Sequence, residues 1–188
     1  MNWIGERVSW KDHGDKTTIV ITPQKKQWQV SVFFAWMVLF TAIGGVMIYQ
    51  LFTDLDRQSL IFTVIFLSFW LYFEVKLGKA FLWMAYGREY IKLNEAGISI
   101  KKATGKYGKA ELIYYQNISS FKLLEEEKNT YKNVFESSFW VIGGERFEIK
   151  SKLKNLSFAR KLPEQDARLL FKIVEKRLNK YKKQSLKS

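Results

Sequence analysis

Cysteine is absent from the 188 residues. That excludes a disulfide framework, thiolate metal sites, iron–sulfur clusters and a cysteine nucleophile, and it leaves the compartment open. Histidine occurs once, at His13, beside Asp12, Gly14 and Asp15. A metal site needs converging ligands and a catalytic imidazole needs a nucleophile to serve; neither can be read there, so His13 reads as a solvated loop residue. Proline occurs only at Pro23 and Pro163, so none interrupts the long apolar stretch between them. Glycine-rich fingerprints are missing too, as is a nucleophile elbow. Gly105-Lys106-Tyr107-Gly108-Lys109 lacks the spacing and the following Ser or Thr of a phosphate loop. Glu125-Glu126-Glu127 beside Lys128 reads as a solvated acidic loop. No catalytic residue, metal ligand or cofactor is expected, and the protein is expected not to be an enzyme.

What is present is two unlike halves. A mean hydropathy of −0.18 averages over them. Residues 29–73 are nearly all apolar, with charge confined to a central break. Residues 74–188 hold 25 Lys or Arg against 13 Asp or Glu, a net +12 of the chain's +13.

Residues 29–51 carry no charged side chain. As a helix this run reaches roughly 35 Å, enough to cross a hydrocarbon core of about 30 Å. Trp28 and Tyr49 flank it at the depths where amphipathic rings favour the headgroup boundary. Residues 60–73 give a shorter uncharged run, followed by Glu74, Lys76 and Lys79. Those lysines can snorkel, so the spacing predicts one long helix from about 59 to 86, ending before Gly87. Two spans, about 29–51 and 59–76, joined by the turn at residues 53–59, make a hairpin over residues 28–87.

Lys25 and Lys26 precede the first span; Lys76, Lys79, Arg88 and Lys92 follow the second; the turn has one Arg. The positive-inside rule then places both termini in the cytoplasm. The first 27 residues are polar with eight charged side chains, so the first span is expected to act as an uncleaved anchor. Lys25, Lys26, Trp28, Tyr49, Lys76, Lys79 and Trp83 are the expected interface anchors. Glu74 is expected at the membrane boundary, paired with Lys26, Lys76 or Lys79, and Gly44-Gly45 with Ala42 as a close-packing face that points to a partner.

From Arg88 onward the apolar period drops from helical to two. Short strands are expected near 89–93, 98–100, 110–115, 118–124, 139–142, 147–149 and 156–158, with turn chemistry between them. Residues 17–22 (TTIVIT) also have strand composition and could extend a sheet edge. A closing helix opens at Pro163; Glu164 and Asp166 suit its positive end, and Leu169, Leu170, Ile173, Val174 and Leu178 form an apolar stripe. The expected fold is thus a membrane α-helical hairpin plus a mostly-β domain over residues 88–183. That domain is an antiparallel seven-stranded sandwich or partial barrel capped by the helix. An N-terminal segment over 1–27 and a basic tail over 184–188 complete the chain.

Thr22-Pro23 with Lys25-Lys26 and Trp28, the exit Tyr86-Gly87-Arg88-Glu89, the turn at 94–97 into Ile98, and the helix opening at Pro163 carry a resemblance over nearly the full length. The chain resembles bacterial two-span membrane proteins with a pleckstrin-homology-like cytoplasmic domain, a group of largely unassigned function. The resemblance implies a multi-pass protein of the bacterial inner membrane. It also implies that basic residues on an early hairpin, here Lys101, Lys102, Lys106 and Lys109, are candidates for contact with anionic phospholipid.

The leading expectation is a non-catalytic membrane-anchored interaction or accessory protein, a subunit or scaffold of a larger membrane complex. It would have the bilayer and either a protein partner or further copies of itself as partners. Anionic-lipid sensing is the alternative. A transport component would need an oligomer, because two helices enclose no pore. Nucleic acid is not expected, because the aromatics sit in apolar strands and offer no stacking platform.

Overall fold

The computed structural model describes residues 1–23, 26–53, 55–124, 138 and 141–185. The chain opens with three antiparallel strands, β1 (Asn2–Ile4), β2 (Val8–Asp12) and β3 (Lys16–Ile21). Two long helices follow, α1 (Gln27–Gln50) and α2 (Arg57–Tyr86). Then come β4 (Gly87–Asn94), β5 (Gly97–Thr104), β6 (Ala110–Ile113), a single 3-10 turn, β7 (Ile118–Leu123), β8 (Glu145–Ser151), β9 (Asn155–Arg160) and the closing helix α3 (Glu164–Ser185). The contacts divide into two units, one of α1 and α2 and one of the strands with α3.

Among the described residues the strands form a six-stranded sheet in the order β1-β2-β3-β4-β5-β6 and a three-stranded sheet β7-β8-β9, antiparallel throughout. This corrects the seven-stranded expectation. The stretch at 17–22 is indeed a strand, but it is an inner one, because β1 and β2 pair outside it. The expected strand at 139–142 lies partly outside the described residues, and Val141 and Ile142 belong to no strand. Lys25, Asp54 in the turn, the acidic loop at 125–127 with Lys128, and the last three residues of the basic tail also lie outside the described residues.

The topology has one consequence for the whole molecule. β3 and β4 are neighbours, registered from Lys16↔Asn94 to Ile21↔Glu89, yet α1 and α2 lie between them in sequence. The helical hairpin is an insertion in a β-hairpin. The sheet unit is therefore assembled from both flanks of the insertion.

Alternation builds the core between the sheets. Val8, Ile19, Ile91, Leu93 and Ile98 from the large sheet are fully buried, as are Phe147, Ile149 and Phe158 from the small one. Helix α3 closes it with Ala167, Leu170, Val174 and Tyr181. Phe121 stacks on Phe171 of α3 at 4.7 Å between ring centroids and packs against Phe147 at 5.7 Å. Each such ring buried from water contributes about 1.5–3 kcal/mol. Arg177 reaches from α3 to Asp12 at 2.6 Å, tying the helix to β2.

In the helical unit the apolar side chains face outward. Only 11% and 6% of the residues in the most apolar stretches of α1 and α2 are buried, which is unlike the core helix of a soluble protein. The two helices meet where Gly44 lets them: a Cβ there would stand 2.0 Å from the Trp70 ring, whose Nε1 donates to the Phe40 carbonyl at 3.0 Å. The glycine therefore serves the hairpin itself. Gly45 beside it faces open space.

Candidate functional site

Two features of the sheet unit bring charged side chains together. The first is a clamp on the end of β9. Ala159 and Lys161 both hold left-handed backbone, φ 62° and 50°, which costs a non-glycine residue of order 1 kcal/mol or more. Buried Glu89 on β4 accepts the N–H of Ala159 at 2.5 Å and of Arg160 at 3.2 Å. From the other side the Arg7 guanidinium donates to the Arg160 carbonyl at 3.0 Å, to the Lys161 carbonyl, and to the Thr22 carbonyl at 2.8 Å. Burial pushes the Glu89 carboxyl up and the Arg7 guanidinium down, and the attraction of each for opposite charge counters that. Burial and the cations Arg160 and Arg7 lower the Lys161 ammonium to about 8.

The second feature is a cleft of about 530 Å3 between the β5–β6 hairpin and the β8–β9 hairpin. Its charged lining comprises Lys102, Lys109, Glu111, Glu145 and Lys154. Two ion pairs cross it from sheet to sheet: Lys102–Glu145 at 3.2 Å and Lys154–Glu111 at 2.6 Å. Arg160 adds a second cation to Glu145 at 2.9 Å. Lys109 has no ion-pair partner among the described residues. Burial alone would raise the Glu145 carboxyl, but Arg160 and Lys102 outweigh it and hold the group below its ordinary 4.5. A lowered folded value means that the stabilisation is present above pH 4.5 and is lost as pH falls through the folded value. Glu145→Gln is expected to be less stable than the parent at neutral pH. That gap should close as the pH is taken below 4.5 in paired chemical-denaturation curves, and a gap independent of pH would refute the assignment.

The four lysines of the early hairpin, the candidates for contact with anionic phospholipid, are divided between two faces and a turn. Lys102 and Lys109 line the cleft. Lys101, next in the strand, points to the opposite face of the sheet with Tyr90, and Lys106 is exposed in the turn after β5. A basic hairpin in sequence is not a basic patch in space, because neighbouring strand residues face opposite ways.

On the helical unit, Trp28 and Tyr49 are exposed near the two ends of α1, Lys26 stands immediately before it, and Lys79 and half-buried Trp83 lie on α2. Lys76 sits 4.7 Å over the Tyr72 ring. Glu74 departs from expectation. Its Oε1 accepts the Thr41 hydroxyl at 2.7 Å, and its buried Oε2 has no hydrogen-bond partner among the described residues. Thr41 is near the middle of the uncharged run at 29–51, about 15–18 Å from either end. The carboxyl therefore lies level with the centre of α1 and pairs with no lysine among the described residues. The seating of Trp70 against Gly44 sets this register.

Arg7 was not anticipated as a clamp. Glu89 carried a legible signal, since it shares strand parity with Ile91 and Leu93 and so had to point inward. Among the described residues no group of three or more His, Asp or Glu is placed to hold a metal ion. Compared with models of known protein families and with curated proteins, the chain matches none.

Proposed function

We propose that the protein is a non-catalytic, membrane-anchored interaction or accessory protein, acting as a subunit or scaffold of a larger membrane complex. Its helical hairpin would cross the inner membrane of a bacterium. The sheet unit would be a pleckstrin-homology-like module in the cytoplasm; two antiparallel sheets closed by an amphipathic C-terminal helix support that reading. Because the module draws strands from both flanks of the hairpin, both flanks must lie on one side of any membrane the hairpin crosses. The excess of Lys and Arg at those flanks favours the cytoplasmic side.

The observation that carries the proposal is the unburied apolar surface of α1 and α2, together with the Glu74 oxygen that no hydrogen bond from the described residues satisfies. Lipid accommodates the apolar surface. A carboxyl oxygen at mid-span is costly without a donor, and a helix of another protein can supply one. The test is extraction of the tagged chain from its native membrane in mild detergent. Stoichiometric co-purification of a membrane protein, reduced by Glu74→Leu, is expected. Recovery as a lone monomer under the same conditions would count against the complex. A second reading, sensing of anionic lipid, is favoured by the sorting of charge on the large sheet.

A further inference from the structure

We propose that the outer face of the six-stranded sheet docks onto an anionic lipid bilayer, the same membrane that the hairpin enters; the inference rests on the membrane reading above. Strand register assigns every side chain to a face. Two rows cross the outer face. One runs Trp3–Ser9–Val20–Tyr90–Lys101–Ala110, in which the small Ser9 is buried, and the next runs Lys11–Thr18–Lys92–Ser99–Leu112. Lys16 and Arg88 share this face by parity.

The six strands contain three carboxylates, Asp12, Glu89 and Glu111, and all three fall on the inner face, whereas five of the six cations fall on the outer one. Lys102 is the exception, and it is ion-paired to Glu145. On the outer face Lys16 lies 3.8 Å from its neighbour Asp15. Lys11, Arg88, Lys92 and Lys101 pair with no carboxylate among the described residues. A soluble surface normally intersperses both signs; this face carries one.

The apolar members fit the same partner. Trp3 is 62% exposed and Leu112 47% exposed, and Tyr114, just beyond β6, is 55% exposed. Amphipathic rings and lysines together suit a headgroup layer, where rings partition and cations meet lipid phosphate. A single-stranded nucleic acid would instead need rings close enough to stack successive bases. The rings of this face, Trp3 on β1, Tyr90 on β4 and Tyr114 just beyond β6, lie two to three strands apart, about 10–14 Å. The tether adds to this, because Arg88 is two residues past the end of α2 and about twelve past the expected end of the second span, which holds it within about 20 Å of the membrane.

The cysteine-free chain allows a direct test. Ser99→Cys, in the middle of the face, takes a fluorophore, and the full-length protein is placed in nanodiscs that contain a headgroup-linked quencher. The discs are of phosphatidylcholine alone or mixed with phosphatidylglycerol. Expected is stronger quenching in the mixed discs, relieved by high salt. In the Lys11→Gln, Lys92→Gln, Lys101→Gln triple variant the docking equilibrium should fall on the order of 100-fold. Lys11 and Lys92 are exposed and Lys101 is half-buried, and circular dichroism checks that the variant is folded. Equal quenching in both discs, with the chain incorporated, overturns the docking face alone. A polynucleotide that displaces the docked face at the same salt overturns lipid as the partner. A chain that does not incorporate into discs overturns the membrane reading itself.

Discussion

Replacing Glu89 with leucine is expected to cost about 3–5 kcal/mol, enough to unfold much of the sheet unit of a marginally stable protein. The leucine fits the volume but accepts nothing. The N–H groups of Ala159 and Arg160 lose their acceptor inside the protein, at about 1–3 kcal/mol each. The Arg7 guanidinium at the same site loses the negative charge that offsets its burial. The left-handed backbone at Ala159 and Lys161 then has one support in place of two. Glu89→Gln keeps one acceptor oxygen and is expected to cost about 1–2 kcal/mol. Urea or guanidinium titration of the full chain in detergent, followed by far-ultraviolet circular dichroism, measures both. A leucine variant as stable as the parent would show that the clamp does not hold the β9–α3 junction.

The second large effect is expected at Gly44. A leucine there must displace the Trp70 ring, since even a Cβ would stand 2.0 Å from it. The ring cannot simply rotate away without losing its hydrogen bond to the Phe40 carbonyl. Small residues at helix contacts in membranes let backbones approach, and the loss removes both packing and that bond. The register that brings Thr41 to Glu74 should go with it. With cysteines placed at Phe33 and Phe81, whose rings lie 5.7 Å apart, a short thiol cross-linker is expected to join the helices efficiently in the parent. In Gly44→Leu the yield should drop several-fold. Gly45→Leu is the control, because that position faces open space, and it should leave cross-linking unchanged. Equal loss in both variants would mean that bulk anywhere on α1 disturbs the hairpin.

These two sites differ in how far they could be read in advance. The pair Gly44-Gly45 stood out as a place of close approach, but composition could not say that the approaching group was Trp70 of the same chain. Glu89 alternates with Ile91 and Leu93, so its inward direction was readable. Its partners are the backbone of Ala159 and Arg160, about seventy residues on, and nothing local points to them. Lys101, Lys102, Lys106 and Lys109 are neighbours around one hairpin in sequence, and the pleat distributes them over two faces and a turn.

Local pattern settled the kinds of element this chain forms. An uncharged run of membrane length, a change of apolar period at Arg88 and a stripe at every third or fourth residue after Pro163 each act through neighbouring residues, so they are legible in order along the chain. Partnerships across long separations were not. β3 joins β4 although two helices of the hairpin intervene, Arg7 reaches Lys161, and Thr41 meets Glu74. Such contacts are selected by the burial of whole faces against one another, a collective free energy that no short window of sequence contains.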